Sequence, residues 1–443
     1  MVRRQRQRDD RGMTLVEIMI TLIISSIIAS STFMFFAGQQ RIYETQTRLL
    51  NIQQNLWAAM EVVARHARAA GSGMYECVQP ASYYNATLDN GSRLLSVGPS
   101  PGPLTPDLSA PPQTGLRAYN AATGNMQWIP PLWIVNNSNA AGDAAIGVIP
   151  GTDVLSVAFG NRTSGTDVDA TLALNLASSA STASISLATT GGAATGAMFR
   201  QGEFILLLQT PPWGFGTDPA SNARGCSMFQ ITTDPTGGIT LPHAASAVNP
   251  GDIVWNPAGD IPGLIPSGGY VGGSAGVRNF GQLTWVTFFV QMGNNGVPNL
   301  MMWQRHLSGP SAAPQILAEG IEDLQVSFAC DTGSLGLYTL SGLNGQLDEG
   351  TDDNSRQFDE WWNNVPSDNL PAINTDGFCN LPTAVRLTLV VRTLTPDDLI
   401  DTNVTTNGPV DVEDHRYASP RPADKYRRRV LTTTVYPRNN KPQ

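Results

Sequence analysis

Glu17 is the residue whose placement asks most of its surroundings. It stands at the head of a run, residues 18–40, in which nothing carries a formal charge, and 18–37 is nearly all Ile, Leu, Met, Phe, Ala and Ser. An unpaired carboxylate carried to mid-membrane costs at least ~2.5 kcal/mol, and an ammonium partner would offset that burial. A second acidic group, Asp348, Glu349, Asp352 and Asp353 with Asp359 and Glu360 nearby, lies in a long loop. Calcium takes six to eight oxygen ligands, so Asp348, Asp352 and Asp353 are candidate calcium ligands, although their spacing is not that of an EF-hand. The alternative is a solvated acidic loop. Trp361 and Trp362 in the same loop either face a partner or sugar, or form a small cluster beneath it. No nucleophile–base constellation appears. His66, His243, His306 and His415 are scattered, and there is neither a G-x-S-x-G nor a Gly-rich phosphate loop with a lysine. The reading is therefore a protein that is not an enzyme and, calcium apart, has no cofactor.

The elements that must position Glu17 start with the apolar run itself. About 20 such residues in a helix match a hydrocarbon core of ~30 Å, and no other segment of the 443 residues is long and apolar enough to span. Ahead of it, Arg3, Arg4, Arg6, Arg8 and Arg11 against Asp9 and Asp10 give residues 1–12 a charge of +3, within a chain of net −9. Directly before a membrane segment, this cluster reads as the positive-inside signal of a cytoplasmic leader. The remainder, near −12 by difference, argues against nucleic-acid binding through a general basic surface. Its expected place is the periplasm, with one span in the inner membrane.

Beyond the membrane the helix continues. Ile42, Leu49, Ile52, Leu56, Met60, Val63 and Ala67 recur at three- and four-residue steps, with Arg41, Glu44, Arg48, Gln53, Glu61 and Arg65 between them. Gly71-Ser72-Gly73 is a stop. The helix over 14–70 is about 85 Å long; its second half docks on a head, and Ser30, Ser31 and Gly38 are where it can bend. After it come short β-type runs at 153–159, 203–209, 228–232, 283–291, 300–305, 323–329, 384–393 and 426–436. Several alternate apolar and polar residues, the pattern of a sheet with one buried face. Residues 315–322 read as a short helix or turn. The Ser/Thr/Ala/Gly tract 163–196 and its like read as surface insertions, because they bury too little apolar area to offset their ordering entropy. Arg427-Arg428-Arg429 lies in a strand, where alternate side chains diverge, and reads as a solvated edge with local ion pairs. The class is α+β: a long N-terminal helix packed on a large antiparallel β-rich head. The boundaries are a leader at 1–12, a transmembrane helix at 13–38, an amphipathic helix at 39–72 and a head at 73–443 with insertions near 163–198, 235–278 and 331–378.

Four cysteines in an exported head allow two disulfides in three connectivities. Cys330 ends one expected strand and Cys379 just precedes another, so Cys330–Cys379 would close the neck of the loop between them. That leaves Cys77–Cys226.

Gly12-Met13-Thr14-Leu15-Val16-Glu17 and the apolar run behind it resemble the type IV prepilin signal. The resemblance implies cleavage between Gly12 and Met13 by prepilin peptidase, N-methylation of Met13, and pairing of Glu17 with the amino terminus of a neighbouring subunit; Phe is commoner than Met at the first mature position. Further blocks, Gly151-Thr152-Asp153-Val154-Leu155, Gly202-Glu203-Phe204-Ile205-Leu206, Leu317-Ala318-Glu319-Gly320-Ile321-Glu322-Asp323-Leu324 and Tyr426-Arg427-Arg428-Arg429-Val430, resemble in order the PilW-type minor pilins. These are similar to the J-type minor pseudopilins of type II secretion. The resemblance implies a pilin-like fold and a minor pilin that helps prime type IV pilus assembly and sits at or near the tip. Its partners would be other minor pilins, the major pilin and the inner-membrane assembly platform. A pseudopilin or a tip adhesin is the alternative.

Overall fold

A computed structural model describes residues 14–73, 147–161, 199–209, 225–234, 240–244, 274–304, 313–330, 382–397 and 424–437. It also describes short segments at 83–85, 115–120, 125–129, 132–135, 172–175, 184–186, 248–249, 255–256, 306, 361–362, 378–379, 412–413 and 415. The chain forms two compact units, 1–54 and 55–443. A single helix, α1 (Leu15–Ala69), runs unbroken through Ser30, Ser31 and Gly38.

In the first unit, four hydroxyls along the apolar stretch of α1 bond to the helix's own carbonyls. Thr21 Oγ1 donates to Glu17 O and Ile18 O, Ser26 Oγ to Ile23 O, Ser31 Oγ to Ile28 O and Thr32 Oγ1 to Ile28 O, at 2.8–2.9 Å. A helix in hydrocarbon requires this, since no water is present to take up a free hydroxyl. By length and composition α1 can cross a membrane.

The second unit carries the strands β1 (Tyr83–Asn85), β2 (Gly115–Asn120), β3 (Asn125–Ile129), β4 (Leu132–Val135), β5 (Val154–Asn161), β6 (Leu172–Asn175), β7 (Ser184–Ser186), β8 (Phe204–Gln209) and β9 (Gly225–Gln230). They are followed by β10 (Thr240–Pro242), β11 (Ser274–Met292), β12 (Pro298–Gln304), β13 (Gln315–Glu319), β14 (Ile321–Cys330), β15 (Trp361–Trp362), β16 (Phe378–Cys379), β17 (Pro382–Arg392) and β18 (Arg428–Val435). The large sheet is organised on β11. Its first half pairs with β8 and β6, its second half with β5 and β12, and a register shift between Asn279 and Gly281 marks the change. A four-stranded sheet, β15-β14-β17-β18, is antiparallel throughout. The sheets are antiparallel as expected from the sequence, with β1–β4 and β2–β9 the two parallel pairs among the described residues of the large sheet.

The last turns of α1 are held by this unit. Leu56, Ala59, Met60, Val63, Ala64 and Ala67 are buried at the three- and four-residue steps read from the sequence. The His66 ring lies 5.4 Å from that of Phe288 and 5.9 Å from that of Phe159, centroid to centroid, and its Nδ1–H donates to Val62 O at 2.8 Å. The helix stops at Gly71, whose φ of 72° is the left-handed conformation of a C-cap. The chain is then stitched to β5: Gly71 N donates to Ala158 O at 3.0 Å, and Gly160 N to Ser72 O at 2.8 Å.

One expectation changes. Residues 315–322, read as a helix or turn, are the strand β13 followed by Gly320 and the start of β14. Gly320 is a joint between the sheets, with a φ of 80°, its N–H on Pro298 O at 2.7 Å and its carbonyl accepting from Arg392 N at 2.8 Å. The tract at 163–196, read as insertion, contains β6 and β7, which bring Leu172, Leu174 and Ile185 to pairings with β11 and β10.

A side chain at Gly320 meets two penalties. The left-handed backbone costs an L-residue ~1–2 kcal/mol, and a Cβ there would stand 2.8 Å from Arg392 O. Gly320→Ala is expected to lower the unfolding midpoint by more than that backbone cost alone; an unchanged midpoint would show that the joint is not under constraint. Burial holds the His66 pKa below its ordinary value, outweighing the Val62 bond. The folded chain thus keeps the ring neutral while the unfolded chain takes a proton near pH 6.5. Stability from this site is complete above about pH 6.5 and is lost as pH falls below it. Thermal unfolding of wild type and His66→Phe at pH 7.5 and 5.5 is expected to show a smaller acid loss in the variant; equal losses would contradict the assignment.

Candidate functional site

The start of α1 is built by Thr14 and Glu17. Glu17 Oε2 accepts from Thr14 N at 2.9 Å and from Thr14 Oγ1 at 3.1 Å, while Glu17 N donates back to Thr14 Oγ1 at 3.3 Å. This is a reciprocal capping box, which satisfies two amides that the helix itself cannot. The Thr-x-x-Glu spacing is a signal for it that the sequence reading, focused on the carboxylate's burial, passed over. Glu17 is therefore already hydrogen-bonded within its own chain, and the box fixes its side chain on the first turn, where the helix dipole is positive. Gly12 and Met13 lie outside the described residues.

Of the other sites read from the sequence, Asp348, Asp352 and Asp353 lie outside the described residues, as does Cys77. The side chains of Cys226, Cys330, Cys379, Trp361 and Trp362 are likewise outside them. The backbone places Cys330 opposite Pro382 at the end of the β14–β17 ladder, and Cys379 opposite Tyr83 on β1. Among the described residues no group of three or more His, Cys, Asp or Glu is arranged to hold a metal ion.

Two buried ionic clusters in the head went unread. Asp153 and Asp323 are fully buried. Asp153 Oδ2 accepts from Val326 N at 2.7 Å, and Asp153 N donates to Leu324 O at 2.8 Å. Asp323 accepts from Gln325 Nε2 at 2.9 Å and from His415 Nδ1 at 2.7 Å. Beside them, Glu413, held at a φ of 48°, accepts from Ser327 Oγ and Thr388 Oγ1 at 2.9 Å each, and Arg386 lies 3.7 Å away. These contacts fasten the entry to β5 and the 412–415 turn onto β14 and β17. No strand periodicity announces them, because the partners stand 25–173 positions apart. Their carboxylates accept from protein donors, which is a fastening role.

The second cluster contains the local ion pairs read at 427–429 but takes Arg428 out of the solvated edge. The Arg428 side chain is buried and grips Glu322 through Nε at 2.6 Å and Nη2 at 2.9 Å, and Asp424 through Nη1 at 2.8 Å and Nη2 at 2.6 Å. Burial works against its charge, but the two carboxylates outweigh it and raise the Arg428 pKa. Burial likewise opposes the charge on Asp424, and Arg428 with the Tyr426 N–H still brings its pKa down. Arg427 pairs with Asp397, and Arg429 is exposed.

Two families match the chain. The model for type IV pilus-assembly protein W covers residues 287–439, from the second half of β11 through β18 and including the joint at Gly320. The prokaryotic N-terminal methylation motif covers residues 7–33, which include Gly12, Met13, Thr14 and Glu17. No curated protein and no solved structure matches the chain. One match is to a type IV pilus-assembly family and the other to an N-terminal methylation motif, and together with a long N-terminal helix ahead of a β-rich head they support a PilW-type type IV minor pilin.

Proposed function

We propose that this minor pilin is cleaved between Gly12 and Met13 by prepilin peptidase, N-methylated on Met13, and held in the inner membrane by α1 with its head in the periplasm. From there it joins other minor pilins and the major pilin on the assembly platform, helps prime the pilus and stands at or near the tip. Its work is assembly and not catalysis. The observation that carries this reading is the carboxylate fixed by its capping box at the first turn of an apolar helix, inside a methylation motif.

The mechanism follows from the chain's own groups. The box holds Glu17 at the head of the helix, where it can receive the methylated amine of a neighbouring subunit. An ion pair with that amine compensates the cost of taking the carboxylate into an apolar bundle. The hydroxyls of Ser26, Ser31 and Thr32 bond within the helix and so present no free donor where its surface meets lipid and then other helices. At the other end, Cys330 and Cys379 are proposed to form a disulfide, supported by their placement at the β14–β17 end. Cys77–Cys226 is the remaining pairing.

Charge and capping are separable. Glu17→Gln keeps an acceptor suited to the capping box but removes the charge, whereas Glu17→Ala removes both. Both variants are expected to be processed normally, by mobility on a gel. Both are expected to fall at least tenfold in co-purification with other minor pilins and in surface pili. Normal piliation and co-purification of Glu17→Gln would remove the proposed ion pair, and failure of Glu17→Ala alone would assign the effect to helix capping.

A further inference from the structure

The four-stranded sheet ends on β18, which among the described residues pairs with β17 and with no other strand. Where its outer groups point follows from the ladder. Thr393 N donates to Arg427 O at 2.9 Å, whereas Arg392 N donates to Gly320 O at 2.8 Å, on the other side of β17. Residues facing each other across an antiparallel pair alternate between bonding one another and turning their N–H and C=O away. The β17–β18 register runs from Arg392↔Arg428 to Val385↔Val435 without a shift. Arg429, Leu431, Thr433 and Val435 therefore bond to β17, while Val430, Thr432 and Thr434 turn their N–H and C=O groups outward. All three are exposed, Val430 by 42%.

Edge strands are ordinarily kept from pairing by shortness, bulges, proline or charge. β13, which pairs only with β12 among the described residues, has all four: five residues, Pro314 just before them, a register shift and Glu319. β18 is eight residues long with an unshifted register, and from Val430 to Tyr436 it has no charge, proline or glycine. Such an edge takes up an extended chain through main-chain bonds, and side chains decide which chain it is. Arg429 supplies that choice. Arg427 and Arg428 have carboxylate partners, whereas Arg429 is exposed with none among the described residues. Because its own N–H and C=O face β17, Arg429 meets an added antiparallel strand in a non-hydrogen-bonded pair, where side chains come closest. An acidic residue at that point makes a favourable cross-strand pair. Residues 428–436 contain no carboxylate, so a second copy of β18 leaves the charge on Arg429 unmatched. The donor is a different strand.

We propose that β18 is a docking edge for an extended segment of another pilus subunit, which adds antiparallel to it with an acidic residue opposite Arg429. The antiparallel sense continues that of the whole sheet. That the donor is a pilus subunit rests on the minor-pilin function proposed above; the edge itself rests on the sheet alone.

The test uses the full chain in cells that assemble the whole pilus. The photo-reactive residue benzoylphenylalanine is placed singly at 430 or 436 beside the outward groups, and at 316 on β13 as the control; Tyr436 and Ile316 are 63% and 56% exposed. Mass spectrometry of the cross-linked peptides is expected to find one segment of another pilus subunit, containing Asp or Glu, at least tenfold more strongly from 430 and 436 than from 316. Thr434→Pro removes an N–H that β17 does not use, a change an edge strand tolerates. It is expected to leave the melting temperature of the head unchanged and to cut the cross-link from 430 at least tenfold. Arg429→Glu breaks no ion pair among the described residues and is expected to cut it at least threefold, which decides the matter if the proline lowers the melting temperature. Cross-links confined to this chain or to a second copy, yields no higher than from 316, or full yield in both variants would overturn the docking edge. If the chain still enters pili, each of those results leaves the minor-pilin function standing. Cross-links to a protein outside the pilus, from a chain that never enters pili, would overturn the named donor and that function together.

Discussion

Among the described residues the first half of α1 is exposed, and this constraint governs the rest. Leu15, Ile18, Leu22, Ile24, Ile27, Phe33, Phe35 and Phe36 are all exposed, with their apolar neighbours between them. Burying such a side chain is worth ~1.5–3 kcal/mol, so this surface represents on the order of 20 kcal/mol left open to solvent. That exceeds the ~5–15 kcal/mol by which a folded domain is stable. A hydrocarbon surrounding would supply the missing contacts, and by length and composition α1 can cross a membrane. A carboxylate at the head of such a surface is tolerable only if its bonds are made, and Thr14 makes the first of them.

The end of α1 belongs to the second unit. Buried side chains in the last turns, the His66 ring against two phenylalanines, and the backbone bonds from Gly71 and Ser72 to β5 fix the helix end to the large sheet. From β5 the Asp153 bonds pass to β14, and Gly320 links β12 to β17. The region matched by the pilus-assembly family lies across this junction, so the shared part of the head includes the fastening between its two sheets.

Much of this was legible in the residues. The helix was read over 14–70 and runs from Leu15 to Ala69, because its apolar steps, lack of proline and Gly-Ser-Gly stop all point the same way. Strands with alternating patterns, such as β14 and β17, were placed within a few residues. Failures came where the neighbours, not the local sequence, decide. Gln315–Glu319 has no strand-like alternation of its own and is strand because β12 lies beside it. Leu172–Asn175 sits in a polar tract and is held by β11. Arg428 reads as part of a solvated edge with local ion pairs, and the approach of Glu322, 106 positions away, together with Asp424 makes it a buried ionic anchor. At the candidate site the carboxylate was found from its burial cost, while its capping partner was missed although the Thr-x-x-Glu spacing was present.

The central claim is that the leader is removed and the oily helix retained. Intact-mass and N-terminal fragment spectrometry of the protein extracted from native membranes tests it most directly. A chain beginning at N-methylated Met13 and still carrying residues 14–40 is the result this account requires. A chain that keeps residues 1–12, or one that begins beyond the apolar stretch, would contradict it.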